Sequence, residues 1–274
     1  MSGEFSAIER IRRLLPDPPA GEVWIGDDAA VLRPPTGPLL LAADVVVEGV
    51  HFTAGADLAD VGWKAMTVNV SDIAAMGGRP LHAVMTIATP DVAGVDRLYE
   101  GVAEAVVAYR CALVGGDLSR ASEVSVSVAV TGTVDGDLPP VLRSGARAGD
   151  AIFVTGALGA MAASGYALRP QARLAEGQAA RRAGATAMID VSDGLAADLG
   201  HILDSSGVGA TLDALPVAAG ATEEQARSGG EDYELVFTGP AELAERLPFA
   251  IRIGTCTSDP AVRPAGGGWE HSWP

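Results

Sequence analysis

Cysteine and lysine are the scarcest chemistry-bearing residues in this chain. Its two cysteines, Cys111 and Cys256, stand far apart and without Cys-x-x-Cys spacing, so neither a disulfide framework nor a zinc site is expected. Lys64 is the only lysine, against eighteen arginines. A phosphate-binding loop of the Gly-x-x-x-x-Gly-Lys-Ser/Thr kind needs a lysine behind its glycines, and none stands in that context. No apolar run approaches the ~20 residues that a membrane helix needs. The start, Met1-Ser2-Gly3-Glu4-Phe5, shows neither the basic residues nor the apolar stretch of a secretion signal. A soluble, cytoplasmic protein with no membrane partner is the expectation. The formal net charge is −16, so a nucleic-acid partner is not expected either, because phosphate backbones need basic stripes. If such a chain handles ATP, metal ions and backbone amides must neutralise most of the phosphate charge.

What is present supports a full core: 274 residues, 48% hydrophobic and 20% charged, suit one large or two modest domains. Ile8, Ile11, Leu14 and Leu15 give a helical spacing broken by Pro16. The apolar stretch 39–43 predicts a strand ending at Asp44. Trp63, Met66, Val70 and Ile73 predict a helix that closes at Gly77-Gly78, with Asn69 and Asp72 on one face. A buried-type strand over 83–88 and a helix through Leu98, Val102, Ala105, Val106 and Tyr109 follow. Ala112-Leu113-Val114 then runs into Gly115-Gly116-Asp117. Val124, Val126, Val128 and Val130 alternate with smaller residues, the period of a half-buried strand. The Pro- and Gly-containing stretch 135–140 reads as a linker. Beyond it come strands at 152–155, 187–189, 235–238 and 251–253, and a helix carrying Leu195, Leu199, Ile202 and Leu203. Strands and helices interleave on both sides of the linker. The expected fold class is α/β, of the α+β layered kind, in two domains, 1–138 and 139–274.

Seven aspartates in short clusters dominate the remaining signal: Asp27, Asp28, Asp44, Asp72, Asp117, Asp190 and Asp193. Asp44, Asp117 and Asp190 each follow an apolar run that reads as a strand, and the ends of parallel-type strands gather at one sheet edge. Carboxylates gathered in one crevice protonate or bind cations, and a hard divalent ion takes all-oxygen ligands of this kind. Each cluster also has a plainer reading. Gly26-Asp27-Asp28-Ala29 is ordinary turn chemistry; adjacent aspartates rarely point the same way, which favours Asp28 as the ligand with Asp27 in reserve. Asp44 could simply stop a strand, and His51 could be a satisfied loop histidine. Asp72 shares a largely apolar helix face, where a charge needs a partner. The glycines before Asp117 permit close backbone approach to a ligand. Asp190-Val191-Ser192-Asp193-Gly194 joins a strand to a helix: Ser192 or Asp193 can cap it, and the amides of the helix start suit phosphate. Arg143, near the junction, can reach phosphate oxygens. Glu231, in Gly229-Gly230-Glu231-Asp232-Tyr233-Glu234, can face a cationic group, and Trp269 after three glycines can fold over an aromatic ligand.

Taken in order, these motifs resemble the thiamine-monophosphate kinase family over nearly the whole chain. They are Gly26-Asp-Asp-Ala, Asp44-x-x-x-Glu-Gly-Val-His-Phe, Val68-Asn-x-Ser-Asp-Ile-Ala-Ala-Met-Gly-Gly, Gly115-Gly-Asp, Arg143-Ser-Gly-Ala-Arg-x-Gly-Asp, Ile189-Asp-x-Ser-Asp-Gly-Leu and Gly229-Gly-Glu-Asp-Tyr-Glu-Leu. The wider fold group is similar to aminoimidazole ribonucleotide synthetase. The resemblance implies transfer of the γ-phosphoryl group of ATP to thiamine monophosphate, with several Mg²⁺ ions and no covalent nucleophile. It implies Mg²⁺ ligation by Asp28, Asp44, Asp72, Asp117, Asp190 and Asp193, and ATP contacts at Tyr99, Gly116, Asp117, Arg143 and Ser192. Substrate contacts at His51, Glu231 and Trp269 are implied as well, and a homodimer through the N-terminal domain. Two other readings stand beside it: an ATP-dependent relative with a different acceptor, and a non-catalytic nucleotide- or metal-binding relative. The chain departs from the family pattern at Ala42-Ala43, where hydroxyl residues are usual, and in shortened stretches at 165–169 and before Gly229.

Overall fold

The computed structural model of the chain describes residues 4–167 and 169–270, so Leu168 in the shortened stretch and His271 in the tail motif lie outside the described residues. Two compact units emerge. One takes in residues up to Ile73 and Arg79–Gly136; the other takes in Ala74–Gly78 and everything from Asp137.

The first unit holds helix α1 (Glu4–Leu14), strand β1 (Leu39–Val47), all but the last two residues of helix α2 (Leu58–Ala75), strand β2 (Arg79–Thr89), helix α3 (Val95–Tyr109) and strands β3 (Ala112–Arg120) and β4 (Ser125–Thr133). The strands form one mixed sheet in the order β1-β4-β2-β3, in which only β2 and β3 run parallel. Alternation decides the faces. Val126, Val128 and Val130 are fully buried, while Leu41 is 72% and Val45 45% exposed on the other face of the sheet. Helices α2 and α3 pack at backbone distance through Gly62 and Gly101. A Cβ on Gly101 would fall 1.8 Å from the Ala59 carbonyl oxygen, and one on Gly62 2.1 Å from that of Leu98. Gly101→Ala is therefore expected to destabilise the protein by about 2 kcal/mol, an overpacking effect. An unchanged urea midpoint would show that the helices part without cost.

The second unit holds β5 (Ala151–Val154), α4 (Ala160–Ala163), α5 (Leu174–Ala183), β6 (Ala187–Asp190), α6 (Leu195–Ser206), β7 (Gly209–Leu212), α7 (Glu223–Ser228), β8 (Leu235–Gly239), α8 (Leu243–Arg246) and β9 (Ile251–Thr257). Its sheet, ordered β6-β8-β5-β9-β7, is antiparallel at every pairing. Both faces are covered. Ile152 and Val154 join α6 in one core, and Phe153 stacks on Phe237 at 5.3 Å in the other. That double burial explains the unbroken apolar runs of β5 and β6, which report covered faces rather than strand direction. The parallel-type arrangement expected for these strands is thus corrected. Three short elements, β7, α7 and α8, escape the hydrophobic pattern; α7 nevertheless carries a capping box, Thr222 with Gln225. Among the described residues no helix is long and apolar enough to cross a membrane.

Candidate active site

In the first unit, the tight turn at Gly26 (φ 125°) divides its two carboxylates. Asp27 accepts the Asp28 amide at 2.8 Å, and the exposed Asp28 side chain is left for other work. Asp44 does not end its strand: β1 continues to Val47. The reason is the run Val45-Val46-Val47, whose β-branched side chains carry the pleat onward. The Asp44 amide donates to Asn69 Oδ1 at 2.8 Å, and Asn69 Nδ2 donates back to the Ala65 carbonyl at 2.9 Å. Buried Asn69 thus ties the edge strand to α2. Asp72, half-buried, stands one turn further along that face.

Asp117 also lies inside its strand, not at its end. Its carboxylate accepts the Ser119 hydroxyl at 2.8 Å. The register places Asp44 opposite Val128, Val128 opposite Met85, and Asp117 beside the next residue, Thr86. Three strand spacings therefore separate Asp44 from Asp117, roughly 14 Å. They also face opposite ways: Asp44 shares its face with buried Val46, Asp117 with exposed Thr86. Within the first unit the sheet does not bring these two carboxylates together. Gly116 has a steric account, since a Cβ there would lie 1.9 Å from the Met85 carbonyl oxygen. Tyr99 is buried in α3, and burial pushes its phenol up to about 12. His51 Nδ1 accepts the Val47 amide at 3.1 Å, which leaves the proton on Nε2. Buried Lys64, the only lysine, donates to the His51 carbonyl at 2.6 Å and so braces this loop.

In the second unit, three separate motifs converge on one turn. Asp190 ends β6 and is buried. Val191 donates to the Glu234 carbonyl at 2.7 Å and accepts from the Tyr233 amide at 2.9 Å. The Ser192 carbonyl accepts the Glu231 amide at 2.8 Å, and the Asp193 carbonyl accepts the Trp269 amide at 2.9 Å. The glycines of these motifs serve the approach: a Cβ on Gly230 would sit 2.4 Å from the Ser192 carbonyl oxygen. Glu231 (φ 66°) and Tyr233 (φ 51°) hold left-handed conformations unusual for side-chain-bearing residues. Strain of this kind concentrates at ligand clamps.

The expected cap of α6 is corrected. Neither Ser192 nor Asp193 caps it; Gly194 is the N-cap, without a side chain to contribute. Asp198, four residues on, takes the amides of Asp193 and Gly194 at 3.0 and 3.1 Å through one carboxylate oxygen. Those amides are consequently not left open for phosphate. Burial, and then the charges of Asp190 and Asp193, push the Asp198 carboxyl up to about 8. Asp190 and Asp193 are thus within electrostatic reach of Asp198. Arg143 lies in an exposed loop of this unit. Trp269 is 57% exposed beyond its anchored backbone. Asp198 went unread in the sequence, although an acid on the apolar stripe of Leu195, Leu199 and Ile202 is a visible oddity.

Among the described residues no three carboxylates, imidazoles or thiolates converge closely enough to hold a metal unaided. Mg²⁺ keeps several waters and is held by one or two carboxylates together with substrate phosphates. Asp28, Asp44, Asp72 and Asp117 carry their carboxylates in the first unit, and Asp190 and Asp193 in the second.

Comparison with known proteins narrows the chemistry. Residues 26–134 match the family described as AIR synthase related protein, N-terminal domain. The thiamine-monophosphate kinase of Aquifex aeolicus (strain VF5) is 34% identical, over 98% of this chain and 98% of its own length. A solved structure, AaThiL complexed with AMPPCP and TMP, superimposes with a TM-score of 0.79 at 34% identity, covering 98% of this chain and 97% of that one. The crystal structure of E. coli HypE, a hydrogenase maturation protein, reaches 0.78 at 19% identity, over 97% and 96% of the two chains, and speaks for the fold alone.

Proposed function

The chain belongs to the thiamine-monophosphate kinase family, and from that membership we propose that it transfers the γ-phosphoryl group of ATP to the phosphate of thiamine monophosphate, releasing thiamine diphosphate and ADP. The observation that carries the reading is the turn Asp190–Gly194. One short segment bears acidic side chains suited to a metal–phosphate complex, while its carbonyls anchor Glu231 and Trp269, the residues suited to a cationic aromatic acceptor. The solved relative that holds AMPPCP and TMP supports the same pair of substrates.

Bound Mg²⁺ would supply charge neutralisation on both phosphate chains and stabilise the dispersed charge of the transferring group. Asp28, Asp44, Asp72, Asp117, Asp190 and Asp193 are the residues that would hold such ions. Arg143 and Ser192 meet phosphate oxygens in this reading, and His51, Glu231 and Trp269 orient thiamine. No covalent nucleophile is needed: the acceptor phosphate is already ionised near neutral pH, so positioning and charge neutralisation carry the rate. Tyr99 fits a role in shaping α3 better than direct contact, since its ring is buried. The chain acts as a homodimer through its first unit, whose sheet leaves Leu39, Leu41, Val45 and Val84 exposed. A dimer also gives Asp117 a route to the other copy's nucleotide, because within one chain it stands on the wrong edge and face to meet Asp44.

The test is direct. Purified protein with ATP, thiamine monophosphate and MgCl₂ is expected to form ADP and thiamine diphosphate in equal amounts, read by chromatography. Chelating the Mg²⁺ with EDTA should abolish both products. ADP release with a different phosphate acceptor, but no thiamine diphosphate, would move the chain to another branch of the fold group. Nucleotide binding with no turnover on any acceptor would make it a non-catalytic relative.

A further inference from the structure

We propose that Asp198 is a positioning residue for this site: from inside the core it holds the Asp190–Gly194 turn in the shape that both substrates require. The proposal rests on the kinase reading above and deepens it.

The geometry is specific. Asp198 is 1% exposed and sits on the apolar stripe of α6 with Leu195, Leu199 and Ile202. An apolar residue would fill that place without the penalty of burying a carboxyl. What the carboxyl provides is a pair of acceptor contacts to consecutive amides, Asp193 at 3.0 Å and Gly194 at 3.1 Å. Gly194, at φ 122°, lies outside the range open to other residues, so the turn has no intrinsic preference for this shape and must be held. The opposite side of the same turn is bonded through its carbonyls to Glu231 and Trp269. A turn fixed on both sides moves as a unit. Loosening its amide side therefore displaces Asp190, Ser192 and Asp193 together with the backbone anchors of the thiamine-facing residues.

Two variants of the full chain separate this role from plain packing. Asp198→Leu fills the space and removes both acceptor contacts. Asp198→Asn keeps an oxygen that can accept the same two amides. For Asp198→Leu the expectation is a kcat/KM lower by about 30-fold for ATP and for thiamine monophosphate alike, with a half-saturating Mg²⁺ concentration raised about tenfold. Asp198→Asn is expected to stay within about fivefold of the parent on every measure. Thermal melting checks that each variant is folded; should the leucine variant not fold, Asp198→Ala makes the same comparison. A folded leucine variant with parental constants would overturn the proposal, and so would an asparagine variant as damaged as the leucine one. Calorimetric titration with AMPPCP and MgCl₂ keeps the two claims apart. If the parent makes no thiamine diphosphate, the kinase reading fails on its own. Weaker AMPPCP–Mg²⁺ binding by Asp198→Leu, rescued in Asp198→Asn, would still support the positioning role, and equal binding by all three proteins would end it.

Discussion

Replacing Asp117 with asparagine is expected to lower kcat for thiamine diphosphate formation about 1,000-fold while shifting the melting temperature by no more than about 2 °C. The separation of effects follows from where the residue stands. Asp117 is exposed on an edge strand, and its side-chain contact is the Ser119 hydroxyl, which an asparagine oxygen can still accept. No packing is lost. What disappears is the negative charge that makes the oxygen a ligand for a hard cation. Near-normal turnover at saturating Mg²⁺ would remove Asp117 from the metal site. The register adds a sharper form of the experiment, because Asp44 and Asp117 lie on opposite edges and faces of one sheet. If each copy's Asp117 serves the other copy, mixing inactive Asp117→Asn with inactive Asp44→Asn chains should restore up to about a quarter of parental activity through mixed dimers. No recovery of activity on mixing would confine both ligands to one chain.

The same register shows what the sequence does and does not disclose. The alternation of Val124 to Val130 and the helical spacing around Trp63 and Leu98 follow from burial on one face, and the sheet and helices of the first unit stand where those periods place them. The strand ends do not. A carboxylate after an apolar run reads as a stop, yet Asp44 sits mid-strand: the valines after it carry the strand on, and its amide is taken by Asn69, a contact between residues twenty-five apart that no local pattern contains. Likewise Asp190-x-Ser-Asp-Gly announces a strand-to-helix turn, but not that the Asp193 and Gly194 amides of that turn are taken by Asp198 inside the helix. Gly-Gly before Glu231 is legible as close approach; that the approach is to the Ser192 carbonyl is a tertiary fact. Motif identity was visible in the residues, and the partners of each motif were not.

Arg173 tests how firmly the loop proposed to face thiamine is held, and Arg173→Met is expected to destabilise the protein by about 3 kcal/mol. The Arg173 guanidinium pairs with Glu234, whose other carboxylate oxygen accepts the Thr155 hydroxyl at 2.5 Å. Glu234 is 4% exposed, and Gly156 packs so closely that a Cβ there would lie 2.5 Å from its carboxylate. Removing the arginine leaves a buried carboxylate with one hydroxyl, which is the costly way to break an ion pair. The intact pair is itself imperfect, since Arg173 Nε is buried without a hydrogen-bond partner. Replacing both residues, Arg173→Met with Glu234→Gln, is therefore expected to regain about half of the loss, and urea unfolding of the two single variants and the double variant measures it. The position of the pair gives the stability change a functional face. Glu234 follows the strained Glu231 and Tyr233, and its carbonyl holds Val191 at the start of the Asp190–Gly194 turn. Arg173→Met should accordingly raise KM for thiamine monophosphate more than KM for ATP, at a temperature where the variant remains folded. Equal changes in both constants, or a loss of stability with neither changed, would show that the ion pair braces the sheet without positioning the loop.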